Sequence, residues 1–137
     1  MKSNKQAFTL IEMMAVVVII GILAAVIGPK LFNRVDEAQI VAARQTIATI
    51  EKQITIYRFN TNKLPESLRD LVKEPDNVKG WNGPYLDRTP KDPWGNEFEY
   101  RVPGNDDRSF DIWSYGADEQ EGGEKNDADI TSWHEEE

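Results

Sequence analysis

The strongest constraint on this chain is an oily stretch near its start, KQAFTLIEMMAVVVIIGILAAVIGP, at residues 5–29. No residue between positions 13 and 28 is charged or strongly polar, and adding residues 8–11 extends the segment to 21 residues with Glu12 inside it. As a helix, at about 1.5 Å per residue, that length spans roughly 30 Å, the thickness of a bilayer core. Lys2 and Lys5 lie just before it and would hold that end on the cytoplasmic side. A carboxylate in hydrocarbon costs on the order of 2.5–3.5 kcal/mol, so Glu12 needs an opposite charge. No Lys, Arg or His follows it within two helical turns. The partner has to come from elsewhere.

A cleaved secretory signal would explain the oil but not the acid. The small-residue cut sites after Ala25 or Gly28 would place Leu23 or Val26 three residues before the cut, a poor match to the A-x-A pattern. Glu12 would also fall inside the apolar region.

Beyond Pro29 the pattern becomes amphipathic. Pro29 lacks an N–H and Gly28 loosens the turn beside it. Residues 28 and 29 are thus either a kink in a continuing helix or its end just past the membrane. Ile40, Ala43, Ile47, Ile50, Ile54 and Tyr57 then recur at alternating spacings of three and four, one apolar stripe on a helix. The run FNTNK ends it, and PESLRDLV reads as a short helix with Pro65 in its first turn and Leu68, Leu71 and Val72 buried. EPDNVKGWNGPY is loop. Residues 97–102 alternate so that Phe98, Tyr100 and Val102 face one way, then Pro103, Gly104 and Asn105 turn the chain. Residues 108–115 form a second strand, with Phe110, Ile112 and Ser114 on one face and Asp111 and Trp113 on the other. Together these describe an α+β head laid on a long helix.

Catalytic classes fare poorly. The 137 residues hold no cysteine and a single histidine, His134. That leaves no thiol chemistry, no disulfide, no Cys–His zinc site and little room for a nucleophile–histidine pair. The net charge is −8, and residues 105–137 hold twelve acids against Arg108 and Lys125. Nothing here is a basic footprint for nucleic acid. The acidic end is solvated surface, a disordered tail or a cation site. Its stretch SYGADEQEGGEKNDADI sets Asp118, Asp127 and Asp129 around Gly122 and Gly123. Calcium takes six to eight oxygens, and a glycine-rich loop lets carbonyls turn inward. The spacing is not that of an EF-hand.

AFTLIE followed by an apolar helix resembles the class III signal of type IV pilins and pseudopilins. The resemblance implies cleavage by a membrane prepilin peptidase between Ala7 and Phe8, and methylation of the new Phe8 amine. Alanine stands where the family usually has glycine. Glu12 then becomes the fifth mature residue and Pro29 the twenty-second, the position where the family's helix carries a proline. The resemblance also implies that Glu12 pairs with the Phe8 amine of a neighbouring subunit and sets axial register in a filament. Such a pair offsets a desolvation that a lone acid would suffer.

Two further stretches resemble the major pseudopilins of type II secretion. TPKDPWGN is similar to their LPxDPWGxxY segment, and SYGADEQEGGEKNDADI to their calcium loop, SLGxDG…NDDI. Matched residue by residue, Asp118 takes the first carboxylate position, Asp127 and Asp129 the later pair, and the Tyr115 and Gln120 carbonyls the backbone positions. Glu119 replaces the usual glycine, the loop is longer, and Ala128 splits the acidic pair; Glu121 and Glu124 are possible substitutes. Ile130 and Trp133 anchor the tail, and HEEE is a solvated end.

The expected fold is therefore type IV pilin-like. Residues 1–7 are a cleaved leader, 8–28 a transmembrane and filament-core helix, 29–60 its amphipathic continuation, and 61–137 a head with a small antiparallel sheet and a calcium loop. The resemblance implies a homopolymer in the inner membrane, crossing it once, with the head in the periplasm. It would work with minor pseudopilins and an inner-membrane assembly platform, without nucleic acid, to drive export of folded proteins through the outer membrane. A type IV or competence pilin is the second reading, although such pilins commonly close their C-terminal loop with two cysteines. A monomeric membrane-anchored calcium- or solute-binding protein is the third, and it leaves Glu12 unexplained.

Overall fold

A computed structural model describes residues 7–133. The leader residues Lys2 and Lys5, His134 and the acidic end after it lie outside the described residues. The chain divides into two compact units, Met1–Val35 and Asp36–Glu137.

A single helix, α1, runs Leu10–Thr61 with Pro29 inside it. The simple helix end considered at Pro29 does not occur. Proline removes one i→i−4 hydrogen bond, from its own missing N–H to the carbonyl of Ala25. In the first unit the apolar side chains stand exposed: Leu10, Ile11, Val17, Ile20, Leu23 and Ile27 have nothing over them. This stretch is long and apolar enough to cross a membrane.

In the second unit the stripe is buried as its spacing requires. Ala43, Ile47, Ile50, Ile54 and Tyr57 form one wall of the core, with Ile40 partly buried beside them. Opposite stand Phe98, just before the sheet, Ile112 and Ile130 from the sheet, and Leu68 and Leu71 from a 3-10 helix at Leu68–Leu71. The short helix expected for PESLRDLV is thus a single 3-10 turn, and Pro65 precedes its Ser67 cap instead of lying in its first turn. Asp70 reaches back to the Glu66 and Ser67 N–H groups at 2.8 and 3.1 Å, which closes the cap. Val72 is only half-buried.

The sheet is antiparallel with three strands in chain order: β1 (Glu99–Arg101), β2 (Asp111–Ser114) and β3 (Ile130–Thr131). Register pairs Tyr100 with Ile112, and Ser114 with Ile130. Successive side chains alternate faces, so Ile112 and Ser114 point into the core while Asp111 and Trp113 point outward. The first two strands are shorter than the alternation suggested, and β3 was expected only as an anchor at Ile130. It pairs because the Ser132 N–H donates to the Ile112 carbonyl at 2.8 Å and the Ser132 hydroxyl accepts the Ile112 N–H at 3.1 Å.

On the outer face, Asp111 is fully buried under neighbours that the alternation does not predict. Arg101 bonds it across the strands, Arg108 Nε donates to it at 2.6 Å, and the Asn105 N–H donates at 2.9 Å. Arg101 also lies over the Trp113 ring at 5.3 Å, and Arg108 over Trp133 at 4.7 Å. The rings of Trp113 and Trp133 meet edge to face, 5.9 Å apart. The charges and aromatic faces together roof the carboxylate.

Candidate assembly segment and acidic loop

Ala7 and Phe8 are exposed, Phe8 at 82%. Glu12 lies in the first turn of α1, also exposed. Its Oε2 accepts the Thr9 N–H at 2.7 Å, while the Thr9 hydroxyl accepts the Glu12 N–H at 3.3 Å. This is a reciprocal capping box, and its T-x-x-E signature stands in the sequence at positions 9–12, where the reading for lipid passed over it. Both groups serve the helix's free N–H donors, so Glu12 has an intrachain partner, though a neutral one.

The acidic loop leaves β2 at Tyr115 and returns at β3. Its base is closed by the Ala117 N–H, which donates to the Asn126 carbonyl at 2.7 Å. Gly116 and Gly123 adopt positive φ, +72° and +93°. A Cβ at Gly116 would fall 2.5 Å from the Asn126 carbonyl oxygen, and one at Gly123 would fall 2.3 Å from that of Asp127. Only glycine lets the backbone pass so close.

Asp118 is exposed, and its Oδ1 accepts the Gln120 N–H at 3.1 Å. Asp127 is exposed in a 3-10 helix at Lys125–Asp127. Asp129 is half-buried; its Oδ2 accepts the Gly122 N–H at 3.0 Å, but its Oδ1 is buried without a hydrogen-bond partner. Tyr115 is half-buried with its ring against Trp113, while Glu121 and Glu124 are exposed. Among the described residues no group of three or more carboxylate or imidazole side chains gathers as a metal cluster.

Two supports of this loop escaped the sequence reading. The DPWGN turn reaches it: Asp92 is buried, accepts the Trp94 and Asn96 N–H groups at 3.1 and 2.9 Å, and takes the Ser114 hydroxyl at 2.6 Å. Ser114 Oγ in turn accepts the Gly116 N–H at 3.1 Å, and Asn96 Nδ2 donates to the Gly116 carbonyl at 3.3 Å. The turn thus fixes the mouth of the loop as well as the core, and Gly95 supplies its φ of +96°. The other support is Asn126, whose Nδ2 donates to Asp36 Oδ1 at 2.5 Å and Gln39 Oε1 at 3.4 Å on α1. A contact across 90 residues has no local signal in a single sequence.

Comparison with known proteins bears on both regions. The family described as Type II secretion system (T2SS), protein G, matches residues 30–133, and the Prokaryotic N-terminal methylation motif matches residues 2–28. The type II secretion system core protein G of Pseudomonas aeruginosa is 42% identical over 139 residues, covering 96% of this chain and 97% of the relative. That of Vibrio cholerae is 41% identical over 140 residues, covering 97% and 95%. The crystal structure of the major pseudopilin from the type 2 secretion system of enterohaemorrhagic Escherichia coli superposes with a TM-score of 0.64 at 28% identity, covering 77% of this chain and 95% of that one. These matches favour the secretion reading over the pilin and monomeric-binder readings. A capped apolar helix, a three-stranded head and a matching profile over most of its length place the chain in the type II secretion system protein G family, the non-enzymatic major pseudopilins.

Proposed function

We propose that the chain is a filament subunit, cut between Ala7 and Phe8 by a prepilin peptidase, methylated on Phe8, and polymerised through α1. Residues 8–28 hold it in the inner membrane, residues 29–60 continue the helix, and the head at 61–137 stands in the periplasm. Growth of the filament, with minor pseudopilins and the inner-membrane platform, drives folded proteins through the outer membrane. The observation that carries this reading is an acid, Glu12, on a helix end whose apolar side chains are all exposed. In hydrocarbon the neutral Thr9 N–H satisfies geometry but not charge, and a neighbour's Phe8 amine satisfies both. The proline of α1, Pro29, permits local adjustment as helices pack. A head with a net acidic surface gives no hold for nucleic acid.

Calcium fits the acidic loop as a structural ion. The buried, undonated Asp129 Oδ1 is the position a cation would complete. The close passes at Gly116 and Gly123 allow carbonyls to turn toward it. Asp118, Asp127 and Asp129, which are not gathered in this structure, would have to close on the ion together with the Tyr115 and Gln120 carbonyls, and the ion would neutralise their charge.

The test of assembly is Glu12→Ala in a host that carries the peptidase and the secretion system. The variant is expected to insert, and its mass to match the methylated chain beginning at Phe8, yet to form no filaments. Filaments at the unaltered level would overturn the pairing.

A further inference from the structure

Asn126 is held at both ends. Its carbonyl accepts the Ala117 N–H at 2.7 Å across the base of the acidic loop. Its side-chain Nδ2 donates to Asp36 Oδ1 at 2.5 Å, with a longer contact to Gln39 Oε1 at 3.4 Å. Asp36 and Gln39 are three residues apart on α1 and so share one face. All three residues are partly buried, and Asp36 is the first residue of the second compact unit. The other amide atom, Asn126 Oδ1, is buried with no hydrogen-bond partner. Turning the amide over would set that oxygen against the Asp36 carboxylate, so the acceptors on the helix fix its orientation. One side chain therefore joins the loop proposed to hold calcium to the helix turn where the second compact unit begins.

We propose that Asn126 is a positioning residue that couples cation binding in the 117–129 loop to the order of α1 around Asp36 and Gln39. The coupling rests on the calcium reading above. When the ion closes the loop, Asn126 is held in place and the helix turn gains a fixed donor. By reciprocity, a helix turn ordered by packing against neighbours raises the loop's affinity for the ion. Subunits packed in a filament would then hold calcium more tightly than free ones.

The experiment is hydrogen exchange on the full chain in detergent, with calcium and with chelator, reading amides of residues 34–42 and 117–129. Amides of β2 report that the head is folded. In the unaltered chain calcium is expected to slow exchange in both segments, by about tenfold in the helix. In Asn126→Asp, which sets a carboxylate against Asp36, the loop is expected to keep its response and the helix to lose it. The exchanged pair, Asp36→Asn with Asn126→Asp, returns a donor and an acceptor to the same places and is expected to restore the helix response. A helix that still responds in Asn126→Asp, or fails to recover in the exchanged pair while the loop responds, would overturn the coupling alone. A loop indifferent to calcium in the unaltered chain would remove the calcium reading and the coupling with it.

Discussion

Asp111 shows how far a single residue can depart from what its strand position implies. Alternation placed it on the outer face, and there it is, but with no exposure. Burial pushes its carboxyl upward; the hydrogen bonds from Arg108, Arg101 and the Asn105 N–H outweigh this and hold it at about 2. The folded chain thus binds this proton more weakly than the unfolded chain, where the ordinary value is 3.8. Its contribution to stability is complete above about pH 4 and fades as pH falls toward the folded value. Asp111→Asn is expected to lower stability by about 2 kcal/mol at neutral pH, the size of a lost charged hydrogen bond. Urea unfolding should show that deficit shrinking near pH 2. The residue types were legible, but the covering was not, because Arg108 reaches Asp111 from beside a turn and is itself backed by Trp133, just past a strand β3 that no pattern announced.

At the scale of elements, the long helix was the most legible part. Six apolar positions at helical spacing predicted its buried wall, since a stripe that regular has few other uses. Ile54 is fully buried in that wall, and Ile54→Ala is expected to cost roughly 3 kcal/mol in chemical denaturation. Phe59, 85% exposed on the same helix, serves as the control, with Phe59→Ala expected to stay within about 0.5 kcal/mol. The sheet was less legible. β3 has two residues, too few for alternation to register, and it is specified by Ser132 and by partners across the core. The DPWGN stretch was singled out by resemblance, but its grip on the mouth of the loop runs through Ser114 and Gly116, which only the fold brings near. The carboxylates proposed to hold calcium were named from composition and resemblance. Asn126 was passed over because an amide among acids stands out only once Asp36 is seen beside it.

For the whole molecule, the second compact unit, from Asp36 onward, is small and has no disulfide. Small domains commonly need a further clasp, and the proposed calcium supplies one. A ligand bound only by the folded state at a hundred times its dissociation constant adds about 2.7 kcal/mol. Thermal melts of the full chain in detergent should therefore rise with calcium and fall with chelator, and Asp129→Ala should remove most of the difference; melts that ignore the ion would leave the loop a solvated surface. The capping box at Thr9 and Glu12 matters at this scale too. The acid of a waiting subunit keeps its charge, but its own backbone already occupies one of its oxygens. In the pairing proposed above, each addition to the filament would exchange the neutral Thr9 N–H for a neighbour's charged amine. The gain from that one pair would then be the difference between two partners, and not the whole of a new bond.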